Sequence, residues 1–231
     1  MNATKIKLKI FLATIPFCLT LIACDNLSTH ADATDVKNTK PVNMAIDEEK
    51  LIVQGIDTPQ DPRTMNINSY SISANSRLLL RFGGLLSGAN NILDEQPILL
   101  RLQISDTDTS LAIKNLQVCP ILKNWMMYAS WNHAHPYKNG AWSQPGGDFD
   151  SASCLTVLAA NDPALANQDE KDFCSDKQAV CFNILSYFKN YIKTRAMDNG
   201  LAIINQDPTT AVDVYGKITP EGPVLFWRKL K

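Results

Sequence analysis

The stretch Arg77-Leu78-Leu79-Leu80-Arg81-Phe82 constrains the fold more than any other. In an extended chain Leu78, Leu80 and Phe82 fall on one face while Arg77 and Arg81 fall on the opposite one. Residues 99–104 repeat the pattern, with Leu100, Leu102 and Ile104 on one side and Arg101 and Gln103 on the other. Residues 51–53, 65–72, 111–118, 201–204, 212–215 and 224–227 read as further strands. Gly83-Gly84 and Ser87-Gly88 punctuate the loop after the first of these patterns. Short strands separated by turns predict a mainly β chain built as an antiparallel β-sandwich. One segment departs from period two. In residues 182–195 the apolar positions Ile184, Leu185, Phe188, Tyr191 and Ile192 follow helical spacing, which predicts one short amphipathic helix. Asn183 is placed to cap its start and Gly200 lies beyond its end.

The N-terminus is a different kind of segment. Lys5, Lys7 and Lys9 precede an apolar run over residues 10–23 that is short for a membrane span and has the charge layout of a secretion signal. The run ends in Leu21-Ile22-Ala23-Cys24, which resembles the lipobox of bacterial lipoproteins. That resemblance implies a lipid on Cys24, cleavage before it, and an exported protein anchored to the cell envelope by acyl chains rather than by a span. Asp25 resembles an inner-membrane retention signal, a rule that varies between lineages, so both membranes stay open. Residues 24–45 are polar with few bulky apolar side chains and read as a flexible tether, leaving 46–231 as the folded domain. The chain carries 22 basic and 23 acidic residues; without Lys5, Lys7 and Lys9 the balance is 19 against 23, or −4. No basic cluster remains in the linear sequence, which argues against nucleic acid as a partner.

Residues 125–148, WMMYASWNHAHPYKNGAWSQPGGD, hold three of the four tryptophans and two of the three histidines. Cys119 precedes this block and Cys154 follows it. With Cys18 in the signal and Cys24 at the anchor, four cysteines remain, and an even number in an exported chain points to disulfides. Three pairings are possible. Cys174 and Cys181 flank a short polar segment and are predicted to close it, which leaves Cys119 to pair with Cys154 across the tryptophan block. The alternative of a metal site lacks the usual Cys-x-x-Cys spacing.

Within the block, Trp131 sits among small residues in a strand-like setting and is expected to be core. Trp142 lies among Gly, Ser, Gln and Pro and is expected to be the exposed ring, free to stack on a sugar. Tyr137, His133 and His135 on the same loop complete the ligand-binding candidates. The two histidines, two positions apart, would face the same side of an extended segment and could share a metal if a third ligand came from elsewhere. Asp148 and Asp150, like Asp106 and Asp108, are paired loop carboxylates; they suit turn chemistry, with calcium as the metal they could hold. No Gly-x-Ser-x-Gly, His-Glu-x-x-His, phosphate-cradling glycine loop or Gly-x-Gly-x-x-Gly occurs, so no catalytic residue and no organic cofactor is assigned.

The order of features is similar to that of the DNRLRE domains, jelly-roll modules grouped with carbohydrate-binding module family ninety-six. Leu79-Leu80-Arg81-Phe82, Leu100-Arg101-Leu102, Ala129-Ser130-Trp131-Asn132, Trp142-Ser143-Gln144-Pro145-Gly146-Gly147-Asp148, Asp198-Asn199-Gly200-Leu201 and Pro223-Val224-Leu225 stand in the places of that family's motifs. The likeness runs over roughly residues 60–231. It departs at Val214-Tyr215-Gly216-Lys217, where the family has a Ser-Arg-Glu-like signature. The resemblance implies a jelly roll and a non-catalytic, lipid-anchored binding module whose favoured ligand is a glycan. An assembly lipoprotein contacting other envelope proteins is the alternative, and a hydrolase with a scattered site the weaker one.

Overall fold

In the computed structural model, residues 39–56, 68–93, 95–105 and 112–230 are described below. The strands are β1 (Thr39–Ala45), β2 (Glu48–Val53), β3 (Ser69–Ile72), β4 (Ser76–Arg81), β5 (Leu99–Gln103), β6 (Leu116–Pro120), β7 (Leu155–Thr156), β8 (Ala179–Asn183), β9 (Leu201–Asn205), β10 (Val212–Tyr215) and β11 (Val224–Leu230). Three short helices accompany them: α1 (Gly83–Gly88), α2 (Gln168–Cys174) and α3 (Leu185–Tyr187), the last running into a π-helical turn, Phe188–Lys193. Every strand pairing is antiparallel. One sheet has the order β1-β11-β5-β8, a second β2-β4-β9-β6-β7, and β3 pairs with β10 as a ribbon.

Set β2 and the ribbon aside, and eight strands remain. The first sheet then holds the first, eighth, third and sixth of them, and the second sheet the second, seventh, fourth and fifth. That interleaving of two Greek keys is a jelly roll.

Period two explains the packing. Leu78, Leu80 and Phe82 meet Leu100, Leu102 and Ile104 in one core, joined by Val118, Phe182, Ile203 and Leu225. The ribbon adds Tyr70, Ile72, Val212 and Val214 to the same core. The reverse face of the second sheet is also dry: Ile52, Leu79, Ala202 and Ile204 are buried against the tryptophan block. The reverse face of the first sheet carries Leu99, Cys181 and Phe226 under Leu165 and Phe173, from the α2 region. Both disulfides form as the spacing suggests, Cys119–Cys154 and Cys174–Cys181.

Five segments differ from the sequence reading. Residues 39–45, placed in the tether, form β1, because alternate side chains Val42 and Met44 reach the core and seven register pairs with β11 bind the backbone. Residues 112–115 form a 3-10 turn ahead of β6, with Leu111 outside the described residues. The odd spacing between Ile113 and Leu116 breaks period two there. Phe182 belongs to β8, so the helix begins later, at Leu185, whose N–H donates to the Asn183 side chain at 3.1 Å. Its stripe is as spaced: Ile184, Phe188, Tyr191 and Ile192 are buried, and the wide π turn keeps them on one face. The Gly83 loop is the short helix α1, and α2 is a further helix beyond the single one expected. Gly200 has φ +84°, and a Cβ there would lie 2.1 Å from the Leu80 carbonyl oxygen, so only glycine lets β9 enter beside β4.

Candidate functional site

The tryptophan block joins β6 to β7 with almost no regular structure, so its backbone groups must pair internally. They do. The Leu122 N–H donates to the Asp148 carbonyl (2.8 Å), Met126 to Ala134 (2.9 Å), Ala134 to Gly140 (2.7 Å), Trp142 to Asn132 (3.0 Å) and Gly146 to Trp131 (2.6 Å). Isolated bridges link Ile121 with Phe149 and His133 with Ala141. The block folds back on itself and lies as a third layer on the second sheet.

Its rings point inward. Trp125 is fully buried, its Nε1 donating to the Asn199 carbonyl at 2.8 Å, with the Arg81 guanidinium 4.6 Å above the ring. Trp131 lies under Arg77 at 5.2 Å and against Gly146, whose φ of +90° and bare Cα let the turn close over the ring. Trp142 is 7% exposed, and its Nε1 donates to the Ser130 carbonyl at 2.9 Å. The expectation of an exposed Trp142 is therefore overturned. Pairing across Asn132, His133 and Ala141 turns residues 133–141 into a closed excursion, and Trp142 re-enters the layer beside Trp131 as a core ring.

The tip of that excursion is Tyr137, which is 65% exposed, with the His135 ring 5.8 Å away. His133 is exposed and His135 half-buried, with the buried Ala134 between them. No third ligand joins them, since among the described residues no group of three His, Cys, Asp or Glu could hold a metal. The carboxylates have other work. Asp148 accepts from the Ser143 N–H (2.7 Å), the Ser143 hydroxyl (3.0 Å) and the Gln144 N–H (3.0 Å), closing the Pro145-Gly146-Gly147 turn. Asp150 caps the 3-10 turn Ser151–Ser153 and accepts the Tyr191 hydroxyl at 2.5 Å, which holds its carboxyl below the usual carboxylate range. Asp148 and Asp150 thus carry the turn and capping chemistry that paired loop carboxylates suit. Asp106 and Asp108 lie outside the described residues.

Where the block, the β6–block junction and the segment after the π turn converge, an open groove of about 690 Å³ forms. Its apolar side is Leu122, Phe149 and Met197, with Leu122 45% and Met197 40% exposed. Its polar side is Asn124, Ser143, Gln144, Ser151 and Asn199, with Lys123 and Asp148 at the rim. Several of these are fixed in place. Arg81 donates to Asn124 Oδ1 at 2.9 Å, Asn199 Nδ2 donates to the Leu122 carbonyl at 3.0 Å, and Lys123 Nζ donates to the carbonyls of Asn139 and Ala141. The side chains of Gln144 and Ser151 spend no hydrogen bond among the described residues. A second cavity of about 200 Å³ lies beside the Cys154 disulfide and the stacked rings of Tyr187 and Tyr191. Above it Tyr187 donates to Asp198 Oδ1 at 2.8 Å; burial pushes the Asp198 carboxyl above its ordinary value and the Tyr187 hydroxyl well above its own.

Of the residues singled out for ligand binding, Trp142, Tyr137, His133 and His135 do not line the groove; Asp148 does. Asn124, Gln144, Ser151, Phe149 and Met197 were missed. No linear signal joins three segments this far apart, although Ser143, Gln144, Asp148 and Asn199 stand in motifs quoted above. The groove offers donors, acceptors and apolar contact to a ligand. No protein-family model matches this chain, and no curated protein matches it either.

Proposed function

We propose that this chain is an exported, lipid-anchored, non-catalytic module that binds a glycan in the groove beside the tryptophan block. The observation that carries the reading is the groove's lining. Uncharged amides and hydroxyls (Asn124, Ser143, Gln144, Ser151, Asn199) stand opposite Phe149 and Met197. Sugars present hydroxyls and C–H faces together, and such a surface answers both. The jelly-roll strand order and the resemblance to DNRLRE modules support the reading, as the Leu21-Ile22-Ala23-Cys24 signal supports the anchor. No described helix is long and apolar enough to cross a membrane.

A second reading, an envelope-protein partner in the same groove, draws on the exposed Leu122 and Met197, with Met126 and Met127 exposed on the same block. The test is a glycan array probed with the full mature protein and with Gln144→Ala/Ser151→Ala, two side chains whose loss disturbs no internal hydrogen bond. Binding by the parent that the double variant loses supports the glycan. An empty array beside in-cell crosslinking from position 144 to an envelope protein replaces it with the second reading.

A further inference from the structure

Arg228-Lys229-Leu230-Lys231 gathers three basic residues in the linear sequence, and the topology brings a further lysine to that stretch. Lys40 in β1 and Lys229 in β11 are directly opposite in the antiparallel register. Their row continues Val42–Trp227 and Met44–Leu225, whose side chains pack into the main core. Period two therefore puts both ammonium groups on that row, one step past the end of the core. Lys40 is exposed and Lys229 half-exposed, and neither has an ion-pair or hydrogen-bond partner among the described residues. Arg228, next to Lys229, faces the other way and is spent on Glu170 and Asp169. Like charges directly opposite on a sheet repel, and among the described residues no carboxylate pairs with either lysine.

We infer that Lys40 and Lys229 form a contact for anionic phospholipid headgroups of the membrane that holds the anchor. The inference rests on the lipid-anchor reading of Cys24. Residues 25–38 separate Cys24 from Thr39, so the start of β1 lies within about 50 Å of the anchor whatever path the chain takes. The paired lysines are one residue further on, at the point where the anchored chain enters the domain. The rest of the mature protein is net negative and is repelled by an anionic surface, so a local cationic pair at the entry point sets which end faces lipid. The repulsion within the pair is relieved when a phosphate diester lies between the two ammonium groups.

The test uses the acylated full-length protein reconstituted into vesicles of phosphatidylcholine alone or with a third of phosphatidylglycerol, with dansyl-labelled headgroups. Energy transfer from the native tryptophans reports how close the domain sits. Transfer should rise with phosphatidylglycerol and fall with added sodium chloride. In Lys40→Gln/Lys229→Gln the docked fraction on anionic vesicles should drop roughly tenfold or more, and Lys40→Arg/Lys229→Arg should restore it. Melting curves keep folding out of the answer, since neutralising a like-charged pair should not lower Tm. Transfer that is equal on both vesicles, or that survives in the Gln variant, overturns the contact. So does loss of the contact in inorganic phosphate but not in chloride of equal ionic strength, which marks a free-phosphate site. A protein that does not float with vesicles removes the anchor itself, and the contact falls with it; an anchored protein without lipid dependence removes the contact alone.

Discussion

The guanidinium of Arg81 lies 4.6 Å above the ring of Trp125 and donates a hydrogen bond to the carbonyl of the same residue. It also meets Glu48 on β2 and Asn124 at the groove, each at 2.9 Å. One side chain of β4 thus ties its sheet neighbour, the buried ring and the groove lining together. Arg81→Ala should lower stability by about 2–3 kcal/mol. Arg81→Lys should recover only part of that, because an ammonium cannot reproduce the planar fork. Denaturant melts of the two variants are the measurement. Equal losses would mean that stacking and the fork contribute little beyond charge.

Trp142 is expected to behave as a core residue. Trp142→Ala should lower stability by about 3–5 kcal/mol, as should Trp131→Ala, through lost burial and the cavity left behind. The Trp142 change also orphans the Ser130 carbonyl, which now accepts its indole N–H. A Trp142→Ala protein that melts within about 1 kcal/mol of the parent would contradict the buried placement.

The two disulfides are expected to differ in weight. Cys119 and Cys154 are 35 residues apart, which in the chain-entropy model corresponds to about 3–4 kcal/mol; Cys174 and Cys181, seven apart, correspond to about 2.5 kcal/mol. Paired Cys→Ala variants compared by urea titration test the ranking. The first should also loosen the block, read as faster amide exchange at Trp131 and Trp142, whereas the second should loosen α2.

Two carboxyls near the same cavity should give opposite pH signatures. Burial raises Asp198, so the folded state holds that proton more tightly than the unfolded chain does. Its contribution is complete below the unfolded value, about pH 4, and is lost as pH rises through the higher folded value. Hydrogen bonds from Tyr191 and Ser153 lower Asp150, so its contribution is present above about pH 4 and is lost as pH falls through the folded value. In melting curves from pH 3 to pH 7, Asp198→Asn should remove a decline above pH 4, and Asp150→Asn should remove a rise that ends near it. Identical pH profiles for both variants and the parent would rule out either role.

Much of the sandwich was legible because its strands alternate, and alternation is a direct consequence of one buried face. Leu78, Leu80, Leu100 and Leu102 went where period two sends them. The third layer was harder to see. Leu79, Ala202 and Ile204 are buried on the reverse face, and what covers them is an irregular block whose pattern has no period. Trp142 looked exposed because Gly, Ser and Pro mark a loop, yet a loop that folds back can bury its largest ring. The helix α2 shows no apolar stripe: it is held by Phe173, by a fully buried Glu170 paired with Arg228 at 2.7 Å, and by a disulfide, none of which is a periodic signal. The groove was illegible for a different reason, since residues near 124, 144 and 199 become neighbours only after the jelly roll closes.

The placement of β1 has a mechanical consequence. Among the described residues it is an edge strand bonded to β11 alone, paired from Thr39 opposite Leu230 to Ala45 opposite Val224. A load that draws Thr39 away from Leu230, across the ladder, opens it from that end, pair after pair, instead of shearing all its bonds at once. The first strand to peel takes only Val42 and Met44 from the margin of the core and leaves the tryptophan layer untouched. Peeling β1 alone would lengthen the chain ahead of β2 while β11, β5 and β8 stay paired, which makes β1 an extensible leader to the sandwich.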